Sequence, residues 1–166
     1  MNEIFTRISV RKFEDRPVEE EKIRQILRAA MAAPSAANQQ PWEFYVVRDQ
    51  EVIKRLSKAS LYARPAASAP VVIVPCMKTE GLRFKEMAEI DLAIATENIL
   101  LEVTSLGLGA VWLGIAPAEE RMKKVEETLG MTDGKLRAFA LVPVGYPAEE
   151  RAQEDRFDEE RIHYVG

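Results

Sequence analysis

Apolar residues recur at helical spacing in three stretches of the chain. In "PVEEEKIRQILRAAMAA", residues 17–33, Ile23, Ile26, Leu27, Ala30 and Met31 line one face, and Pro17 with the glutamates after it suits a first turn. Residues 84–106, "FKEMAEIDLAIATENILLEVTSL", predict a longer helix that is apolar on two sides. Met87, Ile90, Ile94 and Leu101 form one stripe; Leu92, Ala95, Ile99, Val103 and Leu106 form the other. A helix with two apolar faces is central to its domain or lies in a subunit interface. The third stretch, "APAEERMKKVEETLGM", starts at Pro117 and stops at Gly130, as a capped surface helix does.

Four runs rich in β-branched and aromatic residues lie between these helices. They are "WEFYVV" (42–47), "PVVIVPCM" (70–77), "GAVWLG" (109–114) and "LRAFALVPVGY" (136–146). Several are apolar throughout, which predicts burial on both faces. Helices separate successive strands, so simple hairpins are not expected. The pattern predicts an α/β (α+β) fold: a three-layer sandwich with a mixed sheet flanked by helices. From Pro147 the tail is charged until "RIHYVG", where β-type residues return. No internal repeat or linker divides the chain, and residues 1–166 read as one domain.

Composition narrows the function classes. At 166 residues and 47% hydrophobic, the chain can bury a core, and disorder is not expected. Its 23 basic against 27 acidic side chains give a net charge of -4, a poor match for nucleic acid or an anionic membrane. The N-terminus lacks a signal pattern, and the longest apolar run, Ala69–Met77, is far short of the ~20 residues a membrane span needs. A cytoplasmic protein is expected. Cys76 is the only cysteine and His163 the only histidine, so neither a disulfide nor a Cys- or His-rich metal site can form within one chain. Cys76 reads as a buried strand residue, and His163 as structural or exposed. Gly107 and Gly109 in "GLGLGA" imitate a dinucleotide fingerprint, but they run from helix to strand, the reverse of what that motif needs.

Two segments invite a ligand. In "TRISVRKF", residues 6–13, Arg7, Ser9 and Arg11 alternate with Ile8, Val10 and Lys12. If extended, they share a face, with Arg7 and Arg11 roughly 13 Å apart, enough to grip an elongated anion carrying a phosphate. An exposed start of chain with scattered charges is the plainer reading. In "APSAANQQPW", residues 33–42, small side chains, amides and a bulky Trp42 would let backbone approach a planar heterocycle and hydrogen-bond its edge. The plainer reading is a helix-to-strand connection. Taken alone, neither segment decides between its two readings.

Their order decides. "RISVRKF", "APSAANQQPW", "EIDLAIATENILLEVTSLGLGAVWLG", "VPVGYP" and "DRFDEERIHY" follow one another as they do in the short form of the FMN-dependent nitroreductase family, which this chain resembles along nearly its whole length. The resemblance implies an intertwined homodimer with shared FMN sites. It places Arg7, Ile8 and Ser9 at the phosphate and ribityl oxygens, and Arg11 beside flavin N1 and O2. Pro34, Ser35 and Asn38, with Gln40 near them, would reach the partner's flavin. Arg64 would be a basic residue near the ring. Leu113 or Gly114 would offer a backbone N–H to N5, and Arg156 would close on the phosphate. Relatives often carry a second basic residue just before that arginine; Glu154 and Asp155 stand there instead, which predicts a weaker phosphate grip. The resemblance further implies NADH or NADPH as donor and alternating (ping-pong) hydride transfer to nitroaromatic, quinone-like or other small acceptors. No acid–base pair is evident, so no catalytic side chain or metal ligand is assigned. A flavin-binding or flavin-remodelling protein without general reductase activity is the alternative.

Overall fold

The computed structural model describes residues 2–149 and 152–166. Five α-helices occur among them: α1 (Glu3–Thr6), α2 (Glu20–Met31), α3 (Gln50–Leu56), α4 (Ala88–Ser105) and α5 (Glu119–Leu129). The strands are β1 (Trp42–Val47), β2 (Val71–Lys78), β3 (Gly109–Ala110), β4 (Leu113–Gly114), β5 (Leu136–Ala138) and β6 (Ala140–Gly145). The three long helices and the four apolar runs stand where periodicity predicts them. The 84–106 helix is preceded by a 3-10 turn, Lys85–Met87, before α4 begins. Residues 61–68 form a 3-10 helix, and with α1 and α3 it was not foreseen. These pieces are too short to show a period.

The sheet runs β1-β2-β6-β3, with β5 paired to β2 and β4 to β6. All named ladders are antiparallel. The parallel component expected of a mixed sheet is confined, among the described residues, to the bridge between Ser9 and Ala110. No ladder joins consecutive strands through a tight turn; β1 reaches β2 by way of α3 and the 61–68 helix.

Two apolar runs are each cut by a local feature. Residues 109–114 keep one register against β6, Gly109 opposite Gly145 and Leu113 opposite Leu141, but lose pairing at Val111 and Trp112. Residues 136–145 carry a bulge. Cys76 faces Ala138 while Ile73 faces Val142, so three residues on one strand oppose two on the other. The bulge puts Phe139 and Ala140 into one cluster with Trp42, Leu92 and Ala95, and Phe139 meets Trp112 edge to face at 5.4 Å between ring centroids.

Strand alternation builds the three layers. Val71 and Ile73 of β2 pack with Ile23, Ile26, Ile99 and Val103 from α2 and α4. Val72, Val74 and Cys76, on the opposite side of the same strand, pack with Ile53, Leu56, Met122 and Val125 from α3 and α5. Burying each such side chain contributes roughly 1.5–3 kcal/mol, so a strand covered on both faces anchors the whole protomer. Helix α5 ends as its sequence predicts, on Gly130 in the left-handed region at φ 71°.

The two stripes of α4 have different fates. Leu92, Ala95, Ile99 and Val103 are fully buried within the protomer, so they need no second surface. Met87, Ile90 and Ile94 remain exposed, joined by Ile4 and Phe5 of α1, which packs beside α4. The residues left uncovered are therefore those of the outer stripe, of which Leu101 is half-buried.

Candidate functional site

The extended segment 7–13 is held to the sheet by its own backbone. Val10 N donates to Ala110 O at 2.9 Å, Ser9 bridges Ala110, and Glu14 N donates to Tyr146 O at 2.9 Å. This close approach requires Gly109. A Cβ there would lie 2.6–2.8 Å from three Val10 side-chain atoms, distances real contacts do not reach. Gly109, set aside as a nucleotide motif, has a packing reason: it lets the arginine segment dock.

Arg7, Ile8, Ser9 and Arg11 line one cleft of about 290 Å³ with Ala152, Gln153, Glu154 and Arg156. A contiguous hollow of about 210 Å³ continues along Ile8–Lys12 to Glu149, which pairs with Lys12. Four residues predicted at a phosphate end, from opposite ends of the chain, thus share a groove. Arg7 is held on one side by Glu97 of α4 at 3.6 Å, and Arg11 donates to Ser9 O at 3.3 Å. Gln153 Oε1 is buried without a hydrogen-bond partner. Such orphaned acceptors are rare in native proteins and ask for a ligand hydroxyl or water. Glu154 lies in the same cleft, so the acid expected to weaken a phosphate grip is on its wall.

The 34–40 loop is a built structure. Ala37, Asn38 and Gln40 all take positive φ, at 47°, 54° and 47°. Strain of this kind costs of order 1–3 kcal/mol per residue and persists only where surroundings over-determine it. Asp91, in the first turn of α4 and 2% exposed, does so: its carboxylate accepts from Ala36 N at 3.0 Å and from Gln39 Nε2 at 2.7 Å. The Gln39 amide also donates to Phe84 O and accepts from Phe84 N, both at 3.0 Å. Ser35 Oγ accepts from Gln40 N at 3.0 Å and Asn38 Oδ1 from Gln40 Nε2 at 3.1 Å, leaving the Ser35 hydroxyl and the Asn38 amide as donors. Pro34, Asn38 and Gln40 are exposed and Ser35 half-buried.

The loop and the arginine groove hang on different sides of α4. Asp91 and Glu97 are six positions apart, which at ~100° per residue puts their side chains about 120° apart around the helix. None of residues 34–40 lines the arginine cleft. Leu113 is buried and Gly114 exposed, and Gly114 O accepts from Arg121 at 3.2 Å. Arg64 lies in neither place; it lines a second cleft of about 530 Å³ with Lys58, Ser60, Arg121 and Lys124. Among the described residues Cys76 is buried in β2, as expected, and burial pushes its thiol up to about 12. His163 is exposed.

Sequence reasoning missed Asp91, Gln39, Glu97, Gln153 and Gly109. A buried acid early in an otherwise apolar helix was the one visible signal, at Asp91. The others act through contacts between segments far apart in the chain.

An antiparallel sheet between two helical layers, with a groove of arginines along its N-terminal segment, defines an α+β sandwich suited to an elongated anionic ligand. The chain belongs to the nitroreductase family, whose sequence profile matches residues 4–80 and 61–146. An Archaeoglobus fulgidus protein provisionally named NADH dehydrogenase/NAD(P)H nitroreductase is 44% identical over 164 residues, covering 96% of this chain and 94% of that one. A Clostridium acetobutylicum crystal structure, provisionally named an NADH oxidase, superposes with a TM-score of 0.93 at 48% identity and 97% coverage of both chains. A Desulfovibrio desulfuricans structure, provisionally named a nitroreductase and solved in complex with FMN, matches with a TM-score of 0.87 at 28% identity over 99% of this chain and 95% of that one. Among the described residues no helix is long and apolar enough to cross a membrane.

Proposed function

We propose that this chain is an FMN-dependent oxidoreductase that draws electrons from NADH or NADPH and reduces small oxidised acceptors, nitroaromatic or quinone-like compounds among them. The observation that carries this reading is the single cleft shared by Arg7, Ser9, Arg11, Arg156 and the orphaned Gln153 Oε1. Its donor set fits FMN: guanidiniums for a phosphate, and a hydroxyl and an unpaired acceptor for a polyol chain. The FMN complex of the D. desulfuricans relative supports the same assignment.

When bound, FMN supplies two-electron chemistry, taking hydride from a nicotinamide and passing electrons to an acceptor. The protein's contribution is binding and electrostatics. Arg7, Ser9 and Arg156 hold the phosphate through charge-assisted bonds, with Ile8 walling the groove beside them. Arg11, which donates to Ser9 O, would supply a cation to stabilise negative charge on the reduced ring. Leu113 and Gly114 present backbone to the ring's reactive edge. Donor and acceptor use one open site in turn, and protons come from solvent.

The acting unit is a homodimer. The exposed stripe of Met87, Ile90 and Ile94 with Ile4 and Phe5 is an apolar face that a two-fold pairing of α4 would cover. Pro34, Ser35, Asn38 and Gln40, which do not line their own arginine cleft, then serve the partner's flavin.

The test compares two ligands. Arg7→Ala and Arg156→Ala each raise the FMN dissociation constant by about ten-fold, while riboflavin affinity changes much less, because only FMN carries the phosphate. Equal weakening of both ligands would mean that the arginines support the fold and grip no phosphate.

A further inference from the structure

We propose that the second cleft, between the 61–68 helix and α5, binds the diphosphate of the nicotinamide dinucleotide donor. The inference rests on the reductase reading above and adds to it the place where the donor is recognised.

Charge is the first ground. Lys58, Arg64, Arg121 and Lys124 line this cleft of about 530 Å³ against a single acid, Glu120, which Lys124 already pairs at 2.7 Å. Lys58 and Arg64 make no ion pair among the described residues. Arg121 is spent on a neutral acceptor, the Gly114 carbonyl, and stands 5.7 Å from the Tyr62 ring centre. The cleft therefore holds uncompensated positive charge in a chain whose net charge is -4. Guanidinium and ammonium groups converging on a concavity suit a diphosphate, with Arg64 able to take two oxygens at once.

An unpaired hydroxyl is the second ground. Ser60 lines the same cleft, and its Oγ is shielded from water with no hydrogen-bond partner. The protein leaves that group unsatisfied in the wall of a cleft that Lys58 and Arg64 also line, and a ligand oxygen that reached it would complete it.

Position is the third. Arg121 links the cleft to Gly114, the backbone assigned to the reactive edge of the ring. A donor whose diphosphate lay by Arg64 and Lys58 would extend its nicotinamide end toward Gly114. Binding energy gathered at this remote group orients the reacting end without entering the chemistry. Arg64 is thereby assigned to the donor and not to the flavin.

Calorimetric titration of the FMN-loaded protein with ADP-ribose, which carries the diphosphate and lacks nicotinamide, tests the proposal without reference to turnover. Wild type should bind ADP-ribose with an affinity that falls as salt rises. Arg64→Ala should raise the dissociation constant about ten-fold, Lys58→Ala should raise it less, and Arg64→Lys should recover part of the loss. The proposal is overturned if ADP-ribose does not bind, if neither alanine variant changes its affinity, or if inorganic phosphate binds equally well. Reduction of the wild-type protein by 1-benzyl-1,4-dihydronicotinamide, a donor with no phosphate, separately reads the reductase assignment. Failure there with ADP-ribose binding intact removes the reductase and keeps a nucleotide site. Reduction without ADP-ribose binding does the opposite.

Discussion

Replacing Gly109 by alanine should loosen the arginine groove from behind. The added methyl would sit 2.6 Å from Val10 Cγ2, 2.7 Å from Val10 Cβ and 2.8 Å from Val10 Cγ1. Val10 is buried and branched at Cβ, so it cannot swing aside as a long flexible side chain would. Overpacking of this kind costs about 1–3 kcal/mol, and a clash with a Cβ belongs at the upper end. Alanine returns about 0.5–1 kcal/mol by restricting the unfolded chain. Gly109 is not among the glycines with positive φ, so no backbone strain is added. The net loss is about 2 kcal/mol, or roughly 4–8 °C in melting temperature for a chain of this size. Because Val10 N donates to Ala110 O and Ser9 bridges the same residue, the displacement carries Ser9 and Arg11 with it. Thermal melts of the apoprotein read the stability, and FMN titration should show weakened binding. Val10→Gly, which removes all three clashing atoms, added to Gly109→Ala should cost less than the two single changes summed, a coupling that independent sites would not show. An unchanged melting point in Gly109→Ala would refute the reasoning.

Three further outcomes are expected. Asp91→Ala removes two charge-assisted bonds to the 34–40 loop and should destabilise the protein by about 2–3 kcal/mol in denaturant titration; a loss under about 0.5 kcal/mol would show that the loop holds its positive φ values unaided. Ile94→Glu should shift sedimentation toward monomer without unfolding it, since Ile94 is already exposed in the protomer, and FMN should oppose the shift; a wild-type chain that is monomeric at all concentrations would sink the dimer. Cys76 is protonated up to about 12 in the fold against 9.0 for an ordinary thiol, so its contribution is whole below pH 9 and is lost as pH rises toward 12. A steeper fall in stability over that window for wild type than for Cys76→Ala checks the sign, and the thiol should resist alkylation until the chain unfolds.

Periodicity made the long elements legible. Residues 42–47 and the helices α2, α4 and α5 are amphipathic or largely apolar over enough residues for the pattern to stand clear of chance. The short pieces α1, α3 and the 61–68 helix were not legible, because four to eight residues do not establish a period. The second stripe of α4 was visible as a pattern, yet the sequence could not say which residues its own sheet would cover. Leu92, Ile99 and Val103 went inside and Ile94 stayed out.

What the sequence determined by itself is the layered α+β fold and, through the ordered set of motifs, the family. These depend on residue type and local spacing, which a linear chain displays. What the tertiary structure decided is which side chains share a space. Arg7 and Arg156 stand at opposite ends of the chain and meet in one groove because segment 7–13 adds to the sheet beside Ala110. Arg64 and Arg121, nearly sixty residues apart, line one cleft together with Lys124. Asp91 fixes a loop more than fifty residues before it. Contacts across such separations follow from how helices and strands pack, and packing is set jointly by the whole core, so no window of sequence contains them.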